Sequence, residues 1–238
     1  MFAKAIAENR EAIYAVLTSS PPDPKAITPS IGSAFMIAPG LLVTAAHCLD
    51  DAERPGVAGP GHLSVIRAPD IGRKPEAVTV TARDDGKDLA LLRIDAPRSS
   101  ARLRLLDGAI PPGTRCGSSG FPRIAVEGAP GTGIALIELF QGAEICAFAN
   151  ATGLDGAPVA RYETDSPMYG DAAGCPGFLP SGEVFGMYSR FVPDHRTAGE
   201  GPGEPEGYTR AGISLWVPST EIIAFASAHG AALQSSND

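Results

Sequence analysis

Short apolar runs broken by Gly- and Pro-rich turns constrain this chain more than any other feature. Its 238 residues include 28 glycines and 22 prolines, many of them between those runs. SAFMIA (33–38) and LLVTA (41–45) flank Pro39-Gly40 and read as a hairpin by turn chemistry. Further strands are expected at HLSVIR (62–67), EAVTVTAR (76–83), DLALLRI (88–94) and TRCGSSG (114–120). Later ones follow at IALIELF (134–140), EICAFA (144–149), PVARYE (158–163), EVFGMYS (183–189) and ISLWV (213–217). Many short strands with turn signals between them favour a barrel or barrel pair over a helical bundle.

The two ends read differently. At the N-terminus Phe2, Ile6, Ile13, Val16 and Leu17 recur near helical spacing, and charges at Lys4, Glu8, Arg10 and Glu11 interrupt them. The spacing predicts a short amphipathic helix packed on the body, followed by a Pro/Ser-rich connector over 19–30. At the C-terminus, PSTEIIAFASAHG (218–230) predicts a helix capped by Ser219 or Thr220 and ended by Gly230. Its apolar stripe is Ile222, Ile223, Phe225 and Ala226, with Trp216 packed beneath it. The segment 194–207 is rich in Gly, Pro and Glu and is expected to be a mobile surface loop.

Charge and cysteine usage narrow the function classes. A net charge of −8 argues against a general nucleic-acid binder, which needs a basic footprint. No apolar run approaches the roughly 18 residues of a membrane span, and no unbroken apolar stretch marks a secretory signal. Cys48, Cys116, Cys146 and Cys175 show no metal-ligand spacing, so neither a metal nor a cofactor is expected. Four thiols in a chain of this length read as reduced and packed, and imply a cytoplasmic location.

Three segments carry chemistry. The first, GSAFMIAPGLLVTAAHCLD (32–50), is a strand hairpin that delivers His47 within Ala-Ala-His-Cys, just before a turn. The second, DDGKDLALLRI (84–94), opens a strand with Asp88, 41 residues after His47. The third, TDSPMYGDAAGCPGFLPSGEVFGMYSR (164–190), contains Ala173-Gly174-Cys175-Pro176 and then a Gly186-Met187-Tyr188-Ser189 strand.

Together these resemble the trypsin-like, chymotrypsin-fold serine proteases over roughly residues 30–230. The resemblance implies two six-stranded antiparallel Greek-key barrels, with short helices at both ends. The first barrel would span 30–110 and carry His47 and Asp88; the second, 111–238, would carry the nucleophile position. His47 would be the base, Asp88 the carboxylate that orients it, and Ala173 the place of the nucleophilic serine. The backbone of Asp171, Ala172 and Ala173 would form the oxyanion hole. Pro167 would mark the pocket floor, with Ser189, Arg190 and Phe191 as its wall and Gly212 opposite. The other histidines, His62, His195 and His229, sit in no motif.

The match fails at the one group that does the chemistry. A serine hydroxyl, activated by a neighbouring base, is the nucleophile of this family, and Ala173 has none. Two readings follow: an inactivated Ser-to-Ala form of a serine endopeptidase, or a natural pseudoprotease that binds a partner. Retention of both His47 and Asp88 favours the first. Cys175 as nucleophile is disfavoured, because Pro176 follows it and it lies two residues past the aligned position. Gly170-Asp171-Ala172 is a weaker alternative alignment. Ala172 stands where trypsins have the aspartate that receives a new N-terminus, so that mode of activation is not expected. Asp171 replaces an oxyanion-hole glycine, which points to a hole misformed until a substrate or a protein activator binds. The implied partner is a protein or peptide substrate, in a bacterial cytoplasm, with neither nucleic acid nor membrane involved.

Overall fold

In the computed structural model, residues 2–19, 27–50, 63–67, 70, 74–125, 135–153, 155–166, 168, 172–194 and 209–233 are described. His62, Pro167, Asp171, His195 and the loop expected over most of 194–207 lie outside them. The chain opens with helix α1 (Phe2–Asn9). Strands β1 (Ile13–Ser19), β2 (Ile27–Ala38), β3 (Leu41–Thr44), β4 (Leu63–Arg67), β5 (Glu76–Ala77), β6 (Thr79–Asp84) and β7 (Leu89–Arg93) follow. Then come β8 (Arg115–Ala125), β9 (Ala135–Thr152), β10 (Pro158–Thr164), β11 (Pro176–Phe178), β12 (Val184–Asp194), β13 (Thr209–Pro218) and helix α2 (Ser219–Ala228).

The strands form two antiparallel sheets. The second is a closed six-stranded barrel, in the order β10-β13-β12-β11-β8-β9. The first has seven strands instead of the expected six, in the order β5-β4-β1-β2-β3-β7-β6. Val78 explains the extra strand. The 76–83 run divides there, so that β5 pairs with β4 while β6 pairs with β7. The two outer strands are therefore joined through one buried residue, and the sheet must curl until its edges meet.

Ile13, Val16 and Leu17, read from the sequence as part of a helical stripe, lie on β1 instead. This strand pairs with both β2 and β4 in the interior of the first sheet. Tyr14 and Ala15 are buried along with them. A strand covered on both faces shows a continuous apolar run, and its i, i+3, i+4 positions then imitate a helix. The helix is confined to Phe2–Asn9, where it reaches across to the second barrel. The Phe2 ring lies 5.4 Å from that of Phe140, and Asn9 Nδ2 donates to the Gly182 carbonyl at 3.0 Å.

Two other expectations change in detail. The runs at 134–140 and 144–149 belong to one long strand, β9. At α2 the N-cap position is Pro218, and the Ser219 hydroxyl donates to the Leu106 carbonyl in the inter-barrel connection rather than capping the helix. Gly230 follows the helix with φ +79°, a conformation open to glycine. Trp216 is buried against the rings of Phe185 and Tyr188, and its Nε1 donates to Thr164 Oγ1.

The seam between the barrels positions everything that follows. Ser33 on β2 is its centre: its N–H donates to the Ala173 carbonyl at 2.7 Å, and its hydroxyl oxygen accepts from the Phe121 N–H at 2.9 Å. Thr44 Oγ1 donates to the Ser33 carbonyl at 2.7 Å. The connecting segment hydrogen-bonds to both sides, from Leu103 N–H to the Met36 carbonyl and from Leu106 N–H to the Val184 carbonyl.

Candidate active site

His47 leaves the first sheet on a 3-10 turn, Ala46–Leu49, directly after β3. Ala45 and Ala46, which lead into this turn, are both small and fully buried. Asp88 ends the tight turn between β6 and β7. It is the one non-glycine residue with positive φ among the described residues, at 60°. Such a backbone costs about 1–2 kcal/mol, and aspartate tolerates it better than most residues. The carboxylate is thereby turned inward, where it is 1 % exposed.

The two side chains meet closely. His47 Nδ1 lies 2.9 Å from Asp88 Oδ1 and 3.0 Å from Oδ2. The His47 backbone N–H donates to Oδ1 at 3.1 Å, and the Ser189 hydroxyl donates to Oδ2. Fixing Nδ1 as the protonated nitrogen leaves Nε2 as the working end of the ring. Cys48 Sγ lies 3.9 Å from that Nε2 and 3.7 Å from the Ala173 carbonyl oxygen. One sulfur thus touches both the imidazole and the 172–174 turn.

Electrostatics couple the pair. Burial alone would lower the His47 pKa, yet the hydrogen bond and charge of Asp88, together with the Cys48 sulfur beside Nε2, raise it well above its ordinary range. Burial alone would raise the Asp88 carboxyl, but His47 and the Ser189 hydroxyl keep it below the ordinary carboxylate value. Burial pushes the Cys48 thiol up, and it stays a neutral packing group at neutral pH. At neutral pH the negative charge acting on His47 therefore comes from Asp88, with the neutral Cys48 thiol adding only a weak hydrogen bond.

The 172–174 turn is held by backbone. Gly174 has φ +87° and donates its N–H to the Tyr188 carbonyl at 2.8 Å; Cys175 N–H donates to the Ala172 carbonyl at 3.0 Å. A Cβ on Gly174 would sit 2.0 Å from the Ser33 carbonyl oxygen, so the turn closes on β2 only with glycine here. Gly32 has the same function on the facing side, where a Cβ would fall 2.5 Å from Cys48 Sγ and 2.8 Å from the Ala173 carbonyl oxygen. Ala172 and Ala173 are both buried.

A family profile described as the trypsin-like peptidase domain matches residues 32–187, more than half of the chain and inclusive of His47, Asp88 and Ala173. The chain belongs to the trypsin-like peptidases. No protein of curated function matches it in sequence. Among solved structures, the inactive form of the Rv3671c protease superimposes with a TM-score of 0.64 at 18 % identity, covering 95 % of this chain and 93 % of that one. The active form from M. tuberculosis gives 0.63 at 19 % identity, with 97 % and 86 % covered. A serine-to-alanine mutant of the same protease from M. tuberculosis H37Rv, in an inactive form, gives 0.62 at 18 % identity, with 95 % and 90 % covered. These likenesses establish the chymotrypsin-like fold of this trypsin-like peptidase.

The remaining residues singled out in the sequence divide in this peptidase. Ser189, expected on the pocket wall, is buried with its hydroxyl on Asp88. Arg190 donates to the Thr152 carbonyl, while Phe191 is half-buried and pairs with Ser214 on β13. Gly212 has φ +76° and open space where a Cβ would point. Arg161 on β10 went unnoticed, because a cation in a strand ordinarily reads as solvated surface. It is 2 % exposed and reaches the backbone beside Asp88.

Proposed function

We propose that this trypsin-like peptidase carries a serine endopeptidase site in which His47, Asp88 and position 173 form the triad, and that Ala173 leaves it silent. The observation that carries this reading is the double hold of Asp88 on His47 Nδ1, with the Cys48 sulfur in reach of both Nε2 and the Ala173 carbonyl. A serine hydroxyl at 173 would give its proton to Nε2 and attack the peptide carbonyl. His47 would then pass that proton to the leaving amine, while Asp88 stabilises the imidazolium. The amides of Asp171, Ala172 and Ala173 would receive the oxyanion. Pro167, Arg190, Phe191 and Gly212 would border the substrate side chain, and no cofactor takes part. The free thiols among the described cysteines support a reducing, cytoplasmic setting, and among the described residues no helix is long and apolar enough to cross a membrane.

The test is Ala173→Ser, compared with the chain as it stands. Loss of such a nucleophile costs on the order of 10⁶ in turnover, so the serine form is expected to cleave peptides and take up a fluorophosphonate while the alanine form does neither. Peptide binding by both forms with cleavage by neither would favour the pseudoprotease reading instead.

A further inference from the structure

The strained backbone at Asp88 needs something to hold it, and the second barrel supplies the hold. The turn 84–88 belongs to the first sheet, yet its outer side is seated on the other. Gly86 lies where a Cβ would come within 2.4 Å of Asp155 Oδ2, and a Cβ on Gly153 would come 2.7 Å from the Gly86 carbonyl oxygen. Lys87 Nζ pairs with Glu221 of α2 at 2.8 Å. Underneath, Arg161 Nη2 donates to the Lys87 carbonyl at 2.9 Å, and Nη1 donates to the Ala160 carbonyl at 2.8 Å.

Arg161 is the unusual member of this set. The Lys87–Glu221 pair is partly exposed, and such pairs hold geometry weakly. A guanidinium 2 % exposed is different: it is packed in place, and its Nε has no hydrogen-bond partner among the described residues. Burying a cation on carbonyl partners is costly, and a hydrophobic residue would pack at less cost. What the guanidinium adds is a fixed donor on the peptide that enters Asp88. We propose that Arg161 is a positioning residue, which pins the Lys87 carbonyl and so holds the Asp88 carboxylate on His47 Nδ1.

The proposal rests on the triad reading only for its effect on turnover; the effect on His47 is independent of it. The charged and titratable groups around the pair are few. His47 faces Asp88 and Cys48; Asp88 faces His47, Ser189 and, through space, Arg161; Arg161 faces Asp84, Asp88, Arg190 and Glu221. A guanidinium acting only as a nearby charge and one acting as a positional clamp make opposite predictions. Without its charge and with geometry unchanged, His47 would hold its proton more tightly. Without its clamp, Asp88 drifts from Nδ1 and His47 releases its proton more readily.

The experiment is an NMR titration of the His47 imidazole in the full chain, with Arg161→Met and Arg161→Lys beside the parent. The expected result is a His47 midpoint lower by about one pH unit in Arg161→Met, toward the ordinary value of roughly 6.5. Arg161→Lys, which keeps a donor and a charge, should retain part of the difference. An unchanged or raised midpoint in Arg161→Met overturns the proposal, as does an equal fall in both variants. Should Arg161→Met fail to fold, Arg161→Gln, polar but too short to reach the Lys87 carbonyl, carries the same expectation. In the Ala173→Ser background, Arg161→Met is expected to lower kcat by about 10²-fold with KM within about twofold, the cost of a small misplacement at the reacting groups. If Ala173→Ser is itself inactive, the triad reading fails while the titration still decides the role of Arg161.

Discussion

On the proposed triad reading, position 173 presents a methyl group where a hydroxyl would act, beside a closely hydrogen-bonded His47–Asp88 pair. A His47 held above its ordinary pKa by Asp88 is an imidazolium over much of the neutral range, and an imidazolium is not a base. In the Ala173→Ser form, kcat/KM should therefore rise with pH through the His47 pKa, with a midpoint on the alkaline side of about 6.5. Linkage gives the corresponding sign for stability. The raised His47 contributes fully below its unfolded value, and that contribution fades as pH rises through the folded one. The lowered Asp88 contributes above its unfolded value and fades as pH falls through the folded one. Asp88→Asn separates the two partners. Asparagine tolerates the left-handed backbone but brings no charge, so the His47 midpoint is expected to fall sharply. Turnover of the Ala173→Ser form should then drop by about 10⁴-fold. A His47 midpoint unmoved in Asp88→Asn would mean that another group holds the proton.

At the level of elements, what could be read from the sequence was what local pattern determines. The hairpin that delivers His47, the strand opened by Asp88 and the Gly-x-Pro turn after Ala173 each follow from residues within a few positions of one another. Strand β1 was hidden because burial on both faces erases the alternation that marks a strand. Strand β11 was missed because three residues beginning with Pro176 leave no period to detect. Ser189 was visible as a strand residue but not as a partner of Asp88, since nothing local tells which way its hydroxyl points. Arg161 and Lys87 stand 74 positions apart, and no pattern within either strand announces that they meet. Gly174 is the case in which local sequence and long-range packing coincide. Its φ of +87° and the 2.0 Å approach of a Cβ to the Ser33 carbonyl mean that Gly174→Ala adds a backbone penalty to a collision with backbone. Urea unfolding should show a loss of about 3 kcal/mol, summing a left-handed alanine and an overpacked contact. A loss under about 1 kcal/mol would show that the turn can move off β2 freely.

For the whole molecule, the site lies on a seam, and its geometry can be no better than the registration of one barrel on the other. His47 and Asp88 come from the first sheet, while Ser189, Arg161 and the 172–174 turn come from the second. Ser33 ties three segments together, through Ala173, Phe121 and Thr44. Because the bonds to Ala173 and Phe121 are buried and cross the seam, neither barrel can loosen without exposing groups of the other, and the chain should melt in a single transition. Ser33→Ala tests this. It keeps the backbone bond to Ala173 but removes the hydroxyl oxygen that accepts from the buried Phe121 N–H. That costs about 1–3 kcal/mol, or roughly 2–10 °C in Tm for a chain of this size. Calorimetry is expected to show one peak moved down as a unit. If the peak instead splits, the barrels fold as separate units and the seam would be a docking surface between them; the His47–Asp88 pair would then loosen as the second barrel, with Arg161 and Ser189, melts.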